Sequence, residues 1–221
     1  MAEPPRRMSD PLCTFTSMPK TRLRRPRQEE LPFRSHGGRR KGAGRKRGNR
    51  VSHDARPKFH KATPVHVTLR MREYVWNLRS GRSFRRIRRA LAAAKDRFGL
   101  RIIEFCVLGN HVHLLVEVDD DVALSRGIQG LAIRIAKALN AMMKRAGKVF
   151  ADHFHSRLLR SPTELVRAIQ YVLKNAAHHY ALTGPDAYSS GSLPPCERVA
   201  LLSRGVSWLL RVGIYRAKPA A

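Results

Sequence analysis

Ile102-Ile103-Glu104-Phe105-Cys106-Val107-Leu108-Gly109-Asn110-His111-Val112-His113-Leu114-Leu115-Val116-Glu117-Val118 is two apolar, β-rich runs meeting at a Gly-Asn dipeptide. This pattern predicts antiparallel strands near Ile102 to Leu108 and His111 to Val118, joined by a tight turn at Gly109-Asn110. Side chains on a strand alternate faces, so His111 and His113 point one way and Val112 the other. Two imidazoles on one face can grip a single cation. On spacing alone a plainer reading is slightly favoured, in which the pair lines a half-exposed sheet face.

Upstream, Val65 to Met71 alternates, with Val65, Val67 and Leu69 on one face and His66, Thr68 and Arg70 on the other, as expected of a half-buried strand starting after Thr63-Pro64. Ser83 is read as the N-cap of a helix through Arg97. Ile87, Leu91, Ala94 and Phe98 form its apolar stripe, with Arg85, Arg86, Arg88 and Arg89 elsewhere and Gly99 as the stop. Downstream, Asp119-Asp120-Asp121 leads into a helix over about Ala123 to Arg145, where Ile128, Leu131, Ile135, Leu139 and Met142 recur at helical spacing. Phe150 to Leu159 reads as a fourth strand. Ser161-Pro162-Thr163-Glu164 opens a helix running to about His179. The order β-α-β-β-α-β, with one further helix, matches the split β-α-β, ferredoxin-like class of α+β fold, an antiparallel sheet with helices on one face. Val112, Leu114 and Val116 then meet the helices, and His111, His113 and Glu117 lie on an open, polar face. After Thr183 to Pro195, an apolar helix-like segment with Trp208 spans about Val199 to Val212 and reads as a docked appendage.

The 221 residues carry 44 Lys and Arg against 16 Asp and Glu, a formal net charge of +28. So large an excess points to a polyanion, most simply nucleic acid. No run approaches the roughly 18 apolar residues of a spanning helix, and no signal-peptide core follows the basic N-terminus, so no membrane role and an intracellular location are expected. Cys13, Cys106 and Cys196 form neither a disulfide framework nor a C-x-x-C knuckle. Residues 1 to 62 hold 18 Lys and Arg and 5 Asp and Glu, with many Pro and Gly and no apolar period. They are expected to be a disordered nucleic-acid-binding arm, in which Arg39, Arg40, Lys41, Arg45, Lys46 and Arg47 contact DNA. A folded domain over 63–182 and an appendage over 183–221 complete the division.

The chemistry-bearing residues include a second segment, Tyr171-Val172-Leu173-Lys174-Asn175, in which Tyr171 and Asn175 share a helix face one turn apart. A tyrosine hydroxyl can attack a phosphodiester if the phosphate charge is neutralised, and a divalent cation can do this as a Lewis acid. Two histidines and an amide oxygen suit Mg²⁺ or Mn²⁺, with water and phosphate oxygens filling the remaining positions.

The Asn110-His111-Val112-His113-Leu114-Leu115-Val116-Glu117 run on a strand, followed about sixty residues later by Tyr171 to Asn175 on a helix, resembles the single-tyrosine HUH transposases, most of all the REP-associated tyrosine transposases. The likeness covers roughly Val65 to Tyr180. It implies a ferredoxin-like HUH nuclease fold, His111 and His113 as metal ligands, Tyr171 as nucleophile, and Asn175 as the polar residue that helps hold the ion. It implies cleavage of single-stranded DNA bearing hairpin or palindromic repeats through a 5′-phosphotyrosine, strand transfer by the reverse step, no ATP, and a monomer or homodimer in the bacterial cytoplasm at the nucleoid. Many relatives continue Tyr-x-x-x-Asn into Pro, where Ala176-Ala177 follows here, so the helix should run on. The alternative is a non-catalytic or domesticated DNA- or RNA-binding protein using the same face and arm. Arg157 and Arg160 are expected to meet phosphate, His153 and His155 to contact DNA, His66 to face DNA or lie satisfied at the surface, and His178 and His179 to stabilise a helix C-terminus. Tyr74 and Tyr180 read as surface or packing residues.

Overall fold

A computed structural model describes residues 57–217; of the basic arm expected over 1–62, residues 1–56, with Arg39, Arg40, Lys41, Arg45, Lys46 and Arg47, lie outside the described residues, while Phe59 packs against the core. The chain runs β1 (Thr63–Arg70), α1 (Gly81–Ala94), β2 (Leu100–Val107), β3 (His111–Val118), α2 (Asp121–Met142), β4 (His155–Leu158) and α3 (Pro162–Tyr180), followed by α4 (Pro195–Leu201) and α5 (Trp208–Arg211). The strands form one antiparallel sheet in the order β2-β3-β1-β4. This is the ferredoxin-like arrangement expected from the sequence. Among the described residues no helix is long and apolar enough to cross a membrane.

One face of the sheet builds the main core. Val65, Val67 and Leu69 of β1 and Val112, Leu114, Val116 and Val118 of β3 meet Ile87 and Leu91 of α1 and Ile128, Leu131, Ile135 and Leu139 of α2. Each such side chain, once buried, contributes roughly 1.5–3 kcal/mol. Helix α2 reaches β2 closely because Gly127 has no side chain; a Cβ there would lie 2.6 Å from Leu100 Cβ. A bulge between Ile102 and Glu104 shifts the register of β2. It keeps Ile102 on the core side and returns Phe105 and Val107 to it.

Several boundaries differ from expectation for local reasons. Helix α1 is capped by Ser80, whose Oγ accepts from Ser83 N, so Ser83 is a buried residue of the first turn and not the cap. The helix stops at Ala94 because the chain turns left-handed at Asp96, Phe98 and Gly99. That turn swings Phe98 off the apolar stripe and out to solvent. Helix α2 starts at Asp121 under an Asp120 cap. Strand β4 is shorter than expected and forms one edge of the sheet, pairing with β1. The C-terminal segment is not one helix: α4 and α5 are separated by an extended stretch, and a 3-10 turn follows at Gly213–Arg216.

The face bearing the histidines is not open. Helix α3 lies across it, packing Val172 and Ala176 on Cys106 and Leu108, and Leu165 and Ala168 on Leu115 and Leu159. Leu209, Leu210 and Ile214 extend this second layer. The cause is visible in β3, where Leu114, Leu115 and Val116 are consecutive and apolar, so both faces require cover. Glu117 is accordingly 0 % exposed: its carboxylate accepts from Arg101 Nε at 2.8 Å and from the backbone N–H groups of Val206 and Ser207, each at 2.7 Å. Burial would raise its pKa, but these hydrogen bonds outweigh that effect and hold it below the ordinary carboxylate value. Tyr188 O accepts from Val107 N, and Ser190 Oγ accepts from Phe105 N, which covers the free edge of β2.

Candidate metal and tyrosine site

Three strands and one helix bring the site together. His111 and His113 alternate on β3, the inner strand beside β1. The β1–β3 register sets Thr68 opposite His113, and the β1–β4 register sets Thr68 opposite His155 and His66 opposite Arg157. Those side chains therefore share one face. Helix α3, capped by Ser161 with Pro162 in its first turn, supplies Tyr171 from above.

His113 is 4 % exposed, and its Nδ1 lies 3.1 Å from His66 Nε2 and 3.2 Å from Thr68 Oγ1. Its Nε2 is buried and has no hydrogen-bond partner among the described residues. His111 Nδ1 lies 2.6 Å from Asn110 Oδ1, and since an amide oxygen only accepts, Nδ1 carries the proton and Nε2 the lone pair. The two rings stand 4.8 Å apart, centroid to centroid, at 80°. His66 stacks on His113 at 5.3 Å, and the Tyr171 ring meets His113 at 5.4 Å and His66 at 5.6 Å, both edge-on. Tyr171 itself is 48 % exposed and stands at the rim. His66, His113 and Tyr171, together with Thr68, His155, Arg157 and Arg167, line a groove of about 560 Å³.

The electrostatics keep the imidazoles neutral. Burial, then the charges of His111, His66 and His179, lowers the His113 pKa to about 3. Burial, then His155 and Arg157, lowers that of His66 to about 4. His111 is lowered as well, by burial first and then by His179 and Arg70. A neutral imidazole with one nitrogen held as a donor and the other free is the form that binds a metal ion. Among the described residues no group of three or more His, Cys, Asp and Glu converges as a metal site. The donor set thus fits a hard divalent ion that takes two imidazoles and completes its shell with oxygens, and does not fit a closed structural zinc site.

Asn175 lies one turn after Tyr171 but is 2 % exposed, packed on the inner side of α3, with Nδ2 lacking a hydrogen-bond partner among the described residues. Arg157 lines the groove, with its guanidinium 3.6 Å from Glu164. Arg160 is exposed on the turn before α3, and its backbone N–H donates to Glu164. Tyr74 donates its hydroxyl to Lys148 O, away from the histidines. The Tyr180 hydroxyl accepts from Gly109 N at 2.8 Å, fastening the end of α3 to the turn of the histidine hairpin. Sequence reasoning undervalued His66, whose ring contacts those of both His113 and Tyr171, and His179, whose ring is 5.9 Å from that of His111. Strand alternation already put His66 on the correct face; only the inter-strand register shows what it touches.

Comparison with known proteins bears on this geometry. No curated protein matches the chain. Among solved structures, a REP-associated tyrosine transposase bound to a REP hairpin aligns with a TM-score of 0.50 at 16 % identity, over 71 % of this chain and 94 % of that one. A protein from Deinococcus radiodurans R1 described as a transposase aligns with a TM-score of 0.39 at 13 % identity, over 55 % of this chain and 95 % of that one. The first likeness is one of fold. A family model described as "Transposase IS200 like" matches residues 63–174, just over half of the chain, from the start of β1 to three residues past Tyr171. The chain belongs to the IS200-like transposases, a family of DNA transposition.

Proposed function

We propose that this transposase cleaves and rejoins single-stranded DNA through a covalent 5′-phosphotyrosine on Tyr171. The observation that carries the reading is the buried, unpartnered Nε2 of His113 beside the Tyr171 ring. A buried nitrogen without a partner costs on the order of 1–3 kcal/mol, and a ligand explains its retention. His111 and His113 would hold a divalent cation, Mg²⁺ or Mn²⁺, through Nε2, with Asn175 as the candidate third donor. When bound, the cation supplies Lewis-acid neutralisation of the scissile phosphate.

The protein's own groups do the rest. Tyr171 Oη loses its proton and bonds to phosphorus, the P–O3′ bond breaks, and the departing O3′ takes up a proton, leaving a free 3′-hydroxyl. The phosphotyrosine conserves the bond, so a 3′-hydroxyl can attack it and restore Tyr171 without ATP. His66 and Thr68 fix the His113 ring through Nδ1, as outer-sphere partners do. Arg157 and Arg167, on the groove wall, are placed to meet flanking phosphates. Because the solved REP-associated transposase is bound to a REP hairpin, we infer that this chain also takes a strand with hairpin or palindromic repeats, as a monomer or homodimer, with Arg160 and the arm arginines and lysines adding phosphate contacts.

Incubation of a labelled single strand with the protein and Mn²⁺ should yield an adduct that survives denaturation and disappears with Tyr171→Phe. An adduct that persists in that variant would sink the assignment. A non-catalytic binder would give no adduct in the parent protein.

A further inference from the structure

Arg79, just before α1, joins the end of β2, the end of α3 and the segment that follows α3. Its Nη2 donates to Asp186 Oδ1 at 2.7 Å and its Nη1 to Asp186 Oδ2 at 3.0 Å, while Nη1 also donates to Val107 O at 3.1 Å. The guanidinium carbon lies 4.6 Å from the centre of the Tyr180 ring and 4.4 Å from that of Tyr188. Arg79 and Asp186 are both largely enclosed. A forked and stacked contact of this kind depends on the planar guanidinium. The hub also meets both halves of the candidate site. Leu78 N donates to Gly109 O, and Tyr180 Oη accepts from Gly109 N at 2.8 Å. The turn that presents His111 is therefore held by the chain neighbour of Arg79 and by a ring against which Arg79 rests.

We propose that Arg79 is a positioning residue for Tyr171, fixing through Tyr180 and Asp186 where α3 ends over the histidine hairpin and so how far Tyr171 stands from His111 and His113. Tyr180 is the last residue of α3, nine residues after Tyr171, or about 13.5 Å along a stiff helix at 1.5 Å per residue. Over that span α3 meets the sheet through Val172 and Ala176 on Cys106 and Leu108. Such apolar contact is non-directional and sets no axial register. The fork to Asp186, the stacked rings and the Gly109 hydrogen bond are directional and do set one. Enclosing an ion pair adds little net stability, because lost hydration offsets the attraction, so the unique geometry it imposes is the better reason for its presence. The proposal rests on the Tyr171 reading above and adds to it a residue that acts through the helix.

The test compares the full chain with R79Q and with the milder R79K, which keeps a charge for Asp186 but not the fork. Calorimetry reads Mn²⁺ affinity, titration reads affinity for a labelled single strand, and single-turnover adduct formation is timed with both saturating. R79Q should bind Mn²⁺ and the strand as the parent does, while the single-turnover rate falls about 100-fold, the cost of a displacement near 1 Å. R79K should fall in the same sense but by less. The double variant R79Q/D186N should be no slower than R79Q, since the two residues form one contact. An unchanged rate in R79Q would overturn the proposal, as would a rate loss matched by an equal loss of Mn²⁺ or strand affinity, or an additive further loss in the double variant. A readout free of the chemistry comes from fluorine NMR of the metal-free protein carrying meta-fluorotyrosine. The Tyr171 resonance, identified as the one missing in Tyr171→Phe, is set in the parent by the His113 and His66 rings at 5.4 and 5.6 Å. In R79Q it should move to the position of an exposed tyrosine, and an unmoved resonance would overturn the proposal. A failure of the Tyr171 reading is distinguishable, since the parent would then form no adduct while the resonance still decides whether Arg79 holds the helix.

Discussion

Stability of the metal-free protein should fall by about 4 kcal/mol between pH 7 and pH 5, through His66 and His113. Their folded pKa values, about 4 and about 3, lie below the 6.5 of a free histidine, because burial disfavours the charged ring in both cases. As pH drops below 6.5 the unfolded chain takes up protons that the folded one refuses, so stability is full above 6.5 and declines until the folded values are reached. At pH 5 an unfolded histidine is 1.5 pH units below its pKa while the folded ring stays largely neutral; at 1.36 kcal/mol per unit this is about 2 kcal/mol for each. His111, lowered in the same sense, adds to the effect. Glu117 and Glu164, whose pKa values are depressed, contribute stability that is lost only as pH falls below the carboxylate range, so they do not act in this window. Urea unfolding with a chelator present, at pH 7, 6 and 5, measures it. With an m value near 2 kcal/mol/M, the midpoint should drop by roughly 2 M. The variant H66N/H113N should lose most of the slope, and each single variant about half. A slope that persists in the double variant, or a parent whose stability is flat over this range, would refute the burial argument.

Glu117→Gln should lower stability by about 3 kcal/mol in thermal or urea unfolding, because it takes the charge from a buried carboxylate that holds Arg101 and the backbone of Val206 and Ser207; limited proteolysis should then cut first after Leu202. Gly127→Ala should destabilise by about 1–2 kcal/mol despite its better helix propensity, since the new Cβ meets Leu100 at 2.6 Å; a rise in melting temperature would show that α2 can shift to make room. Tyr180→Phe removes the acceptor for Gly109 N and should cost about 1 kcal/mol while leaving adduct formation on Tyr171 detectable. Chelation, or His113→Ala, should abolish the adduct with Mn²⁺ absent or unbound, and calorimetry should show loss of Mn²⁺ binding in the variant.

The element order and the faces of the sheet were legible because period-2 and period-3.6 patterns are local. Val65, Val67 and Leu69 alternate as expected and enter the core, and the Gly109-Asn110 turn joins the strands with Leu108 N donating to His111 O. What remained hidden depends on pairs distant in sequence. Glu117 was expected on an open, polar face, and its partners Val206 and Ser207 lie about ninety residues away, in the extended stretch of a segment that read as one helix. His179 looked like a helix-end charge; its contact with His111 depends on how α3 crosses the sheet. The cap was read at Ser83 because Ser is a capping residue type, but the observed cap is Ser80, three residues earlier: Ser83 is enclosed, donates its N–H to Ser80 and cannot also stand outside the helix.

The sequence placed the two histidines on a face expected to be open, and the structure shows that face roofed, which changes the physical meaning of the pair. On an open face an imidazole nitrogen is satisfied by water and carries no information. Under α3 the same nitrogen on His113 is withdrawn from solvent and left without a protein partner, two residues from Leu115, which the same helix layer covers. The roof is also selective: Leu165, Ala168, Val172 and Ala176 close over apolar neighbours, while Tyr171, on the same helix, stays half-exposed at the rim with its ring against His113. A layer built only for stability would bury a leucine where His113 sits, gaining transfer energy and losing an unsatisfied group. The neutral, oriented imidazole retained there, with Asn110 beside His111 and with Thr68 and His66 beside His113, is the physical ground of the proposal that a ligand binds between β3 and Tyr171.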